Sequence, residues 1–197
     1  MTRSVREAQP DDVPPLAAML ARAFDDDPVT RWFYRRDSAR PKWAGRFFAW
    51  QLRRLLPQGQ VHTTDGAVGA AVWALPDRWR ETPRESARLL AATGPALITR
   101  LPTVLAGVTR VERNHPSEPH LYLSVLGTEP SHQGEGIGSA LLAPGLALCD
   151  TEGLPAYLES SKEANVAFYA RFGFQVTQEV RLPRDGPRVW LMWREPR

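Results

Sequence analysis

The chain has a single cysteine, Cys149, in 197 residues, so no internal disulfide can form and a reducing, cytoplasmic setting is expected. It has no long apolar run. The longest, Ala67 to Leu75, is interrupted by Gly69 and far too short to span a bilayer, and MTRSVREAQ lacks the apolar stretch of a signal peptide, so no membrane association is expected. Lysine is nearly absent: of 25 basic residues only Lys42 and Lys162 are lysines. The arginines are dispersed without an uninterrupted basic block and the net charge is only +3, which argues against nucleic acid as a partner. What is plentiful is proline, with 18 residues, and a 43% hydrophobic content that allows one well-buried core, so a single domain over residues 1–197 is the expectation.

Periodicity orders the elements. SVREA (4–8) reads as a strand, followed by a helix capped by Asp11 or Asp12 with Val13, Leu16, Leu20 and Phe24 at helical spacing. Residues 41–56 form a second helix with Trp43, Phe47 and Trp50 on one face, and Asp65-Gly66 joins two strand-like runs as a hairpin. From Thr82, where Glu85 completes a capping box, to about Arg113 the text is helical, with breaks expected at Gly94-Pro95 and Pro102. A strand (120–128), a glycine-rich turn, a helix to Glu152 closed by Gly153 with a kink at Pro144, and the strand AYLES (156–160) make one βαβ unit. Ser160 with Glu163 offers a cap for a short helix ending at Gly173, and two final strands turn around Asp185-Gly186. The fold class is therefore α/β with α+β character: a mixed, mainly antiparallel central sheet flanked by helices on both faces.

The turn HQGEGIGSA (132–140) carries glycine at 134, 136 and 138 where a strand hands over to a helix. Glycine allows a sharp turn and close approach of backbone N–H groups, and the first amides of a helix have no intrahelical partner, so a phosphate or pyrophosphate suits the place. A tight turn without a ligand satisfies the same pattern. A Walker loop is excluded because Ser139-Ala140 stands where Lys-Ser/Thr is needed. The dinucleotide fingerprint lacks its third glycine, which Ser139 replaces, although Glu159 falls near the ribose-binding position.

Gln133-Gly134-Glu135-Gly136-Ile137-Gly138 resembles the Q/R-x-x-G-x-G/A loop of the GNAT N-acetyltransferase superfamily, and Asn165, Phe168-Tyr169 and Gly173-Phe174 resemble its N-x-x-F-Y-x-x-x-G-F segment. GTEPSHQGEGIGSALLAPG, LPAYLESS and GPRVWLM are also similar to the branch of that family that acetylates puromycin, from which residues 32–115 depart. The resemblance implies an acetyl-CoA-dependent N-acetyltransferase acting on a small-molecule amine, an antibiotic such as puromycin among the candidates, as a monomer or homodimer without a metal. Acetylation of a protein lysine or N-terminus, and a non-catalytic acyl-CoA-binding module, are the alternatives.

The same resemblance implies roles. Amides of Gln133, Gly134, Glu135, Gly136, Ile137, Gly138 and Ser139 would bind pyrophosphate. Val125, Leu126 and Gly127 would form the splayed end of the fourth strand, with the Leu126 N–H polarising the acetyl carbonyl. Asn165 and Phe168 would contact the pantetheine arm, and Tyr169 would be the general acid. Glu159 is the first candidate for the base, a sheet-edge ion pair being the competing role. Asp25, Asp26 and Asp27, followed by Trp32-Phe33-Tyr34, would suit a cationic aromatic acceptor, or else a solvated helix end. His120 and His132 are expected to pack or face solvent.

Overall fold

The computed structural model describes residues 4–184 and 186–197, so Asp185 of the expected final turn lies outside the described residues. Seven strands form one sheet in the order β1-β2-β3-β4-β5-β7-β6. These are β1 (Val5–Glu7), β2 (Val61–Thr64), β3 (Gly69–Ala74), β4 (Leu121–Thr128), β5 (Ala156–Ser160), β6 (Gln175–Arg181) and β7 (Arg188–Arg194). Only β4 and β5 pair in parallel among them, joined by the helix α6 (Ile137–Glu152) as the βαβ reading requires. The β2–β3 hairpin turns on Gly66 (φ 79°) and Ala67 (φ 52°).

Helices cover both faces of the sheet. On one, α1 (Val13–Ala23) and α3 (Arg40–Leu55) bury Leu16, Leu20, Phe48, Leu52 and Leu55 against Ala70, Val72, Val125 and Leu191. On the other, α6 and α7 (Ala164–Ala170) bury Leu141, Leu142 and Tyr169 against Ala71, Trp73, Leu121, Leu158 and Met192. The alternation along β3 sends its odd and even residues to opposite cores, as strand geometry demands. α2 (Pro28–Phe33), α4 (Pro83–Leu97) and α5 (Leu101–Glu112) complete the first layer, where Trp32, Leu97 and Val104 join the core.

Several local expectations are corrected. α4 runs through Gly94-Pro95, because Gly94 lacks the Cβ that a following proline ring crowds; the break falls at 98–100, and Pro102 lies in the first turn of α5. Pro144 does lie inside α6, as expected, and the helix runs on to Glu152: burying Leu141, Leu142 and Leu146, at about 2 kcal/mol each, outweighs the ~3 kcal/mol that an interior proline costs. The buried stripe of α3 is Ala44, Phe48, Gln51, Leu52 and Leu55, one residue along from the expected Trp43-Phe47-Trp50 face, of which only Trp50 is buried. Asp12 does not cap α1; its carboxylate accepts from the Gln9 N–H at 2.7 Å and pairs with Arg6. Ser160 does not cap α7 either, since its hydroxyl donates to the Lys162 carbonyl at 3.0 Å.

Glycine at 145 is required by packing. A Cβ there would overlap Cε2 and Nε1 of the fully buried Trp73 and lie 2.7 Å from its Cζ2. Gly145→Ala is expected to lower stability by about 1–3 kcal/mol despite its better helix propensity, which for a chain of this length lowers the Tm by roughly 3–10 °C in a calorimetric scan. An unchanged Tm would mean that Trp73 can move aside.

Candidate active site

The site arises where the sheet comes apart. Val72 pairs with Val125 and Trp73 with Leu123, so Ser124 is an extra residue, a bulge in β4. The bulge reverses the faces: Leu121 and Leu123 point to the α6 core, whereas Val125 points to the α1 and α3 core. The parallel pairing of β4 with β5 ends at Leu123 and Leu158. Beyond that point the two strands diverge around a cleft of about 450 Å³.

This cleft brings together nearly all of the residues singled out in the sequence. Val125, Leu126 and Gly127 line it from β4, Glu159 from β5, Gln133, Gly134, Gly136, Ile137, Gly138 and Ser139 from the glycine turn, and Asn165, Phe168 and Tyr169 from α7. Of the residues assigned to the cosubstrate, Glu135 is the exception. Its carboxylate meets His132 Nδ1 at 3.2 Å and it does not line the cleft. Ser124, Thr128, His132, Lys162 and Arg171 line it as well, and sequence reasoning assigned none of them a place there.

The glycines of the turn have distinct reasons. Gly134 (φ 84°) and Gly136 (φ 81°) take left-handed backbone that other residues adopt at a cost, with open space where a Cβ would be. Gly138 is in the first turn of α6, and a Cβ there would make only an ordinary contact, 3.5 Å from Phe168 Cζ. No side chain caps α6, which leaves the N–H groups of Ile137, Gly138 and Ser139 to the cleft at the positive end of a 16-residue helix. Gly127 differs again: a Cβ would come 2.6 Å from Leu20 Cδ2, so this glycine lets α1 press on β4.

Tyr169 is 8% exposed, packed edge-on against Phe168 and Phe174 with ring centroids 5.1 and 5.9 Å away. Burial pushes its phenol pKa up, so the hydroxyl stays protonated at neutral pH. It is both core residue and cleft wall. Glu159 is held from three sides. The Tyr157 hydroxyl donates to Oε1 at 3.2 Å, the Tyr122 hydroxyl to Oε2 at 3.3 Å, and His115 Nδ1 stands 3.5 Å from Oε1. Burial, reinforced by the Glu159 charge, raises both phenol pKa values, which keeps both as donors. His115 lies between the helical stretch that ends at about Arg113 and the strand from 120, where no role was expected; Glu159 and His115 are 44 positions apart, and no local signal connects them.

The three acids Asp25–Asp27 do not form an open acceptor site. Asp25 Oδ1 pairs with Arg40 Nε at 2.9 Å and Asp26 Oδ1 with Lys162 Nζ at 2.5 Å. Asp27 caps α2 through the Thr30 N–H at 2.7 Å and accepts from the Ser161 hydroxyl. Trp32 and Tyr34 are buried in the core. Only Asp27 of the three lines the cleft, and the acids tie the α1–α2 turn to the end of β5.

The model of the Acetyltransferase (GNAT) family matches residues 63–174. The chain belongs to this family. An uncharacterised N-acetyltransferase of Schizosaccharomyces pombe is 29% identical over 206 residues, 98% of this chain and 83% of the relative. A crystal structure of histone acetyltransferase HPA2 and related acetyltransferase from Corynebacterium glutamicum is similar with a TM-score of 0.75 and 28% identity, over 100% of this chain and 98% of that one. The PaiA N-acetyltransferase of Thermoplasma acidophilum, solved in complex with coenzyme A, shares the fold at a TM-score of 0.58 and 12% identity, over 99% of each chain. As a GNAT enzyme, the protein is an N-acetyltransferase that depends on acetyl-CoA. Among the described residues no helix is long and apolar enough to cross a membrane.

Proposed function

We propose that this acetyltransferase acts on the amine of a small molecule, with an antibiotic such as puromycin among its acceptors, and that the β4/β5 cleft is where transfer occurs. One observation carries this reading: the uncapped α6 N-terminus, the ends of β4 and β5 that no longer pair with each other, Tyr169 and Glu159 all line a single space. The cleft residues fit coenzyme A. Open space around Gly134 and Gly136 and free first-turn amides suit a pyrophosphate, and Arg171 adds positive charge on the wall. Asn165 and Phe168 lie beside that anion site on α7, within reach of a pantetheine arm.

Acetyl-CoA supplies a thioester carbonyl and a thiol leaving group. The Leu126 N–H, on a strand end that β5 does not pair, donates to the carbonyl oxygen as it gains charge. Glu159 takes a proton from the acceptor amine so that its lone pair is free. Tyr169 donates its hydroxyl proton toward the departing sulfur. Burial makes the phenol hold its proton more tightly than a thiol of pKa about 8.5 holds its own, so Tyr169 stays protonated and stabilises the departing thiolate by donating a hydrogen bond to it. Walls favour a small acceptor: Trp79 stacks on His115 with centroids 3.6 Å apart, and the side chain of His115 is 2% exposed, so the sheet face around Glu159 is covered rather than grooved.

The test is release of free thiol from acetyl-CoA with a panel of puromycin, arylalkylamines, polyamines and lysine-containing peptides. Turnover is expected with small amines and not with peptides. Turnover confined to peptides would replace the acceptor assignment, and heatless calorimetry with coenzyme A would remove the site.

A further inference from the structure

The region behind Glu159 contains two histidines that the reaction as described leaves unused. His120 Nδ1 is 2.6 Å from the Glu118 carbonyl oxygen. A carbonyl only accepts, so that nitrogen carries a proton. His120 Nε2 lies 3.0 Å from His115 Nε2, a distance at which two ring nitrogens share one hydrogen bond. Burial lowers the His120 pKa and keeps its ring neutral, which makes its Nε2 the acceptor and His115 Nε2–H the donor. The tautomer of His115 follows: Nδ1 is left facing Glu159 Oε1 at 3.5 Å. Both Glu159 oxygens already accept from Tyr157 and Tyr122, whose protons are held by burial. Within this cluster, the gap between His115 Nδ1 and Glu159 Oε1 is the place where occupancy by a proton is free to change.

We propose that His115, oriented by His120, stores the proton that Glu159 removes from the acceptor amine, acting as a positioning residue behind the carboxylate. This rests on the reading of Glu159 as the base. The step balances: an N–H bond of the acceptor ammonium breaks and leaves its electron pair on nitrogen, an O–H bond forms on Glu159, and that proton passes to the lone pair of His115 Nδ1. The imidazolium so formed lies against the Trp79 ring, with an interplanar angle of 23°, where a cation on an aromatic face is favoured. The edges of Tyr122 and Tyr157 abut the same ring. The other charged groups around the cluster are Asp77, which acts on His120, Arg54, which acts on Tyr122, and Arg80, whose guanidinium carbon lies 5.0 Å from the centre of the Trp79 ring. The arrangement gives the proton a second basic site behind the carboxylate, the lone pair of a neutral imidazole nitrogen, so that Glu159 is freed to accept again.

Two measurements test this. In the pH profile of kcat/KM for the amine, His115→Phe keeps a ring beneath Trp79 but cannot hold the proton. Its acidic limb is expected to move to lower pH while the rate at pH 8 falls about tenfold or more, with KM for acetyl-CoA unchanged. A loss of rate without movement of the limb would make His115 merely structural and overturn the proposal. Independently of turnover, ¹⁵N-detected histidine spectra are expected to show the Nε2–H tautomer of His115 at high pH, and Glu159→Gln should shift the His115 titration to lower pH. A His115 titration that is the same in both proteins overturns the pairing itself. A shifted titration with full turnover by Glu159→Gln leaves the pairing but removes the carboxylate from the reaction, and with it the proton transfer.

Discussion

Gly138→Asp is expected to fold as well as the parent chain and to lose coenzyme A. Unlike Gly134 and Gly136, Gly138 has no left-handed backbone to protect, and its Cβ would make only ordinary contacts, 3.5 Å from Phe168 Cζ and 3.9 Å from Thr128 Oγ1. An aspartate in the first turn of α6 complements the helix dipole and contributes roughly 0.3–1 kcal/mol of stability, so the Tm should hold or rise slightly. The same carboxylate occupies the anion cradle. Two like charges about 4 Å apart near a protein surface repel by about 4 kcal/mol, enough to weaken binding roughly a hundredfold or more. Isothermal titration calorimetry with coenzyme A checks this, and Gly138→Asn, of similar size but neutral, should lose much less. Equal affinities for the aspartate variant and the parent would locate the diphosphate elsewhere.

Tyr169→Phe is expected to lower kcat by about 10²–10⁴-fold, the usual contribution of a positioned acid, while leaving KM for acetyl-CoA and the Tm nearly unchanged. The ring contacts with Phe168 and Phe174 survive the substitution, since only the hydroxyl is lost. The pH dependence has a definite sign. A phenol must be protonated to donate, and burial raises its pKa, so ionisation of Tyr169 should not curtail activity on the alkaline side below about pH 10. Single-turnover measurement of thiol release separates this chemical step from binding. An unaltered kcat would assign Tyr169 to the core alone and leave the thiolate to be protonated by water.

Much of the site was legible before any coordinates. AYLES matches β5 at both ends and Gly153 closes α6 in left-handed backbone, because strand alternation and helix stops are carried by neighbouring residues. The two glycines with positive φ at 134 and 136 lie in the turn where glycine spacing marked an anion cradle. Reading failed where a local rule met a distant partner. The acids at 25–27 marked an acceptor site, but Arg40, Lys162 and Ser161 engage them, and Glu135 shares the glycine turn yet turns away to His132.

The sequence by itself determined the order of strands and helices, the family to which the chain belongs, and a phosphate-sized turn at the head of a helix. Those features depend on residues a few positions apart, whose sterics and periodicity act within a single turn or strand. Tertiary structure alone decided that the bulge at Ser124 parts β4 from β5, that Asp25, Asp26 and Asp27 are consumed by Arg40, Lys162 and Ser161, and that Glu159 meets His115. Each of these depends on which segments the sheet topology brings side by side, and such pairing leaves no periodic trace along the chain.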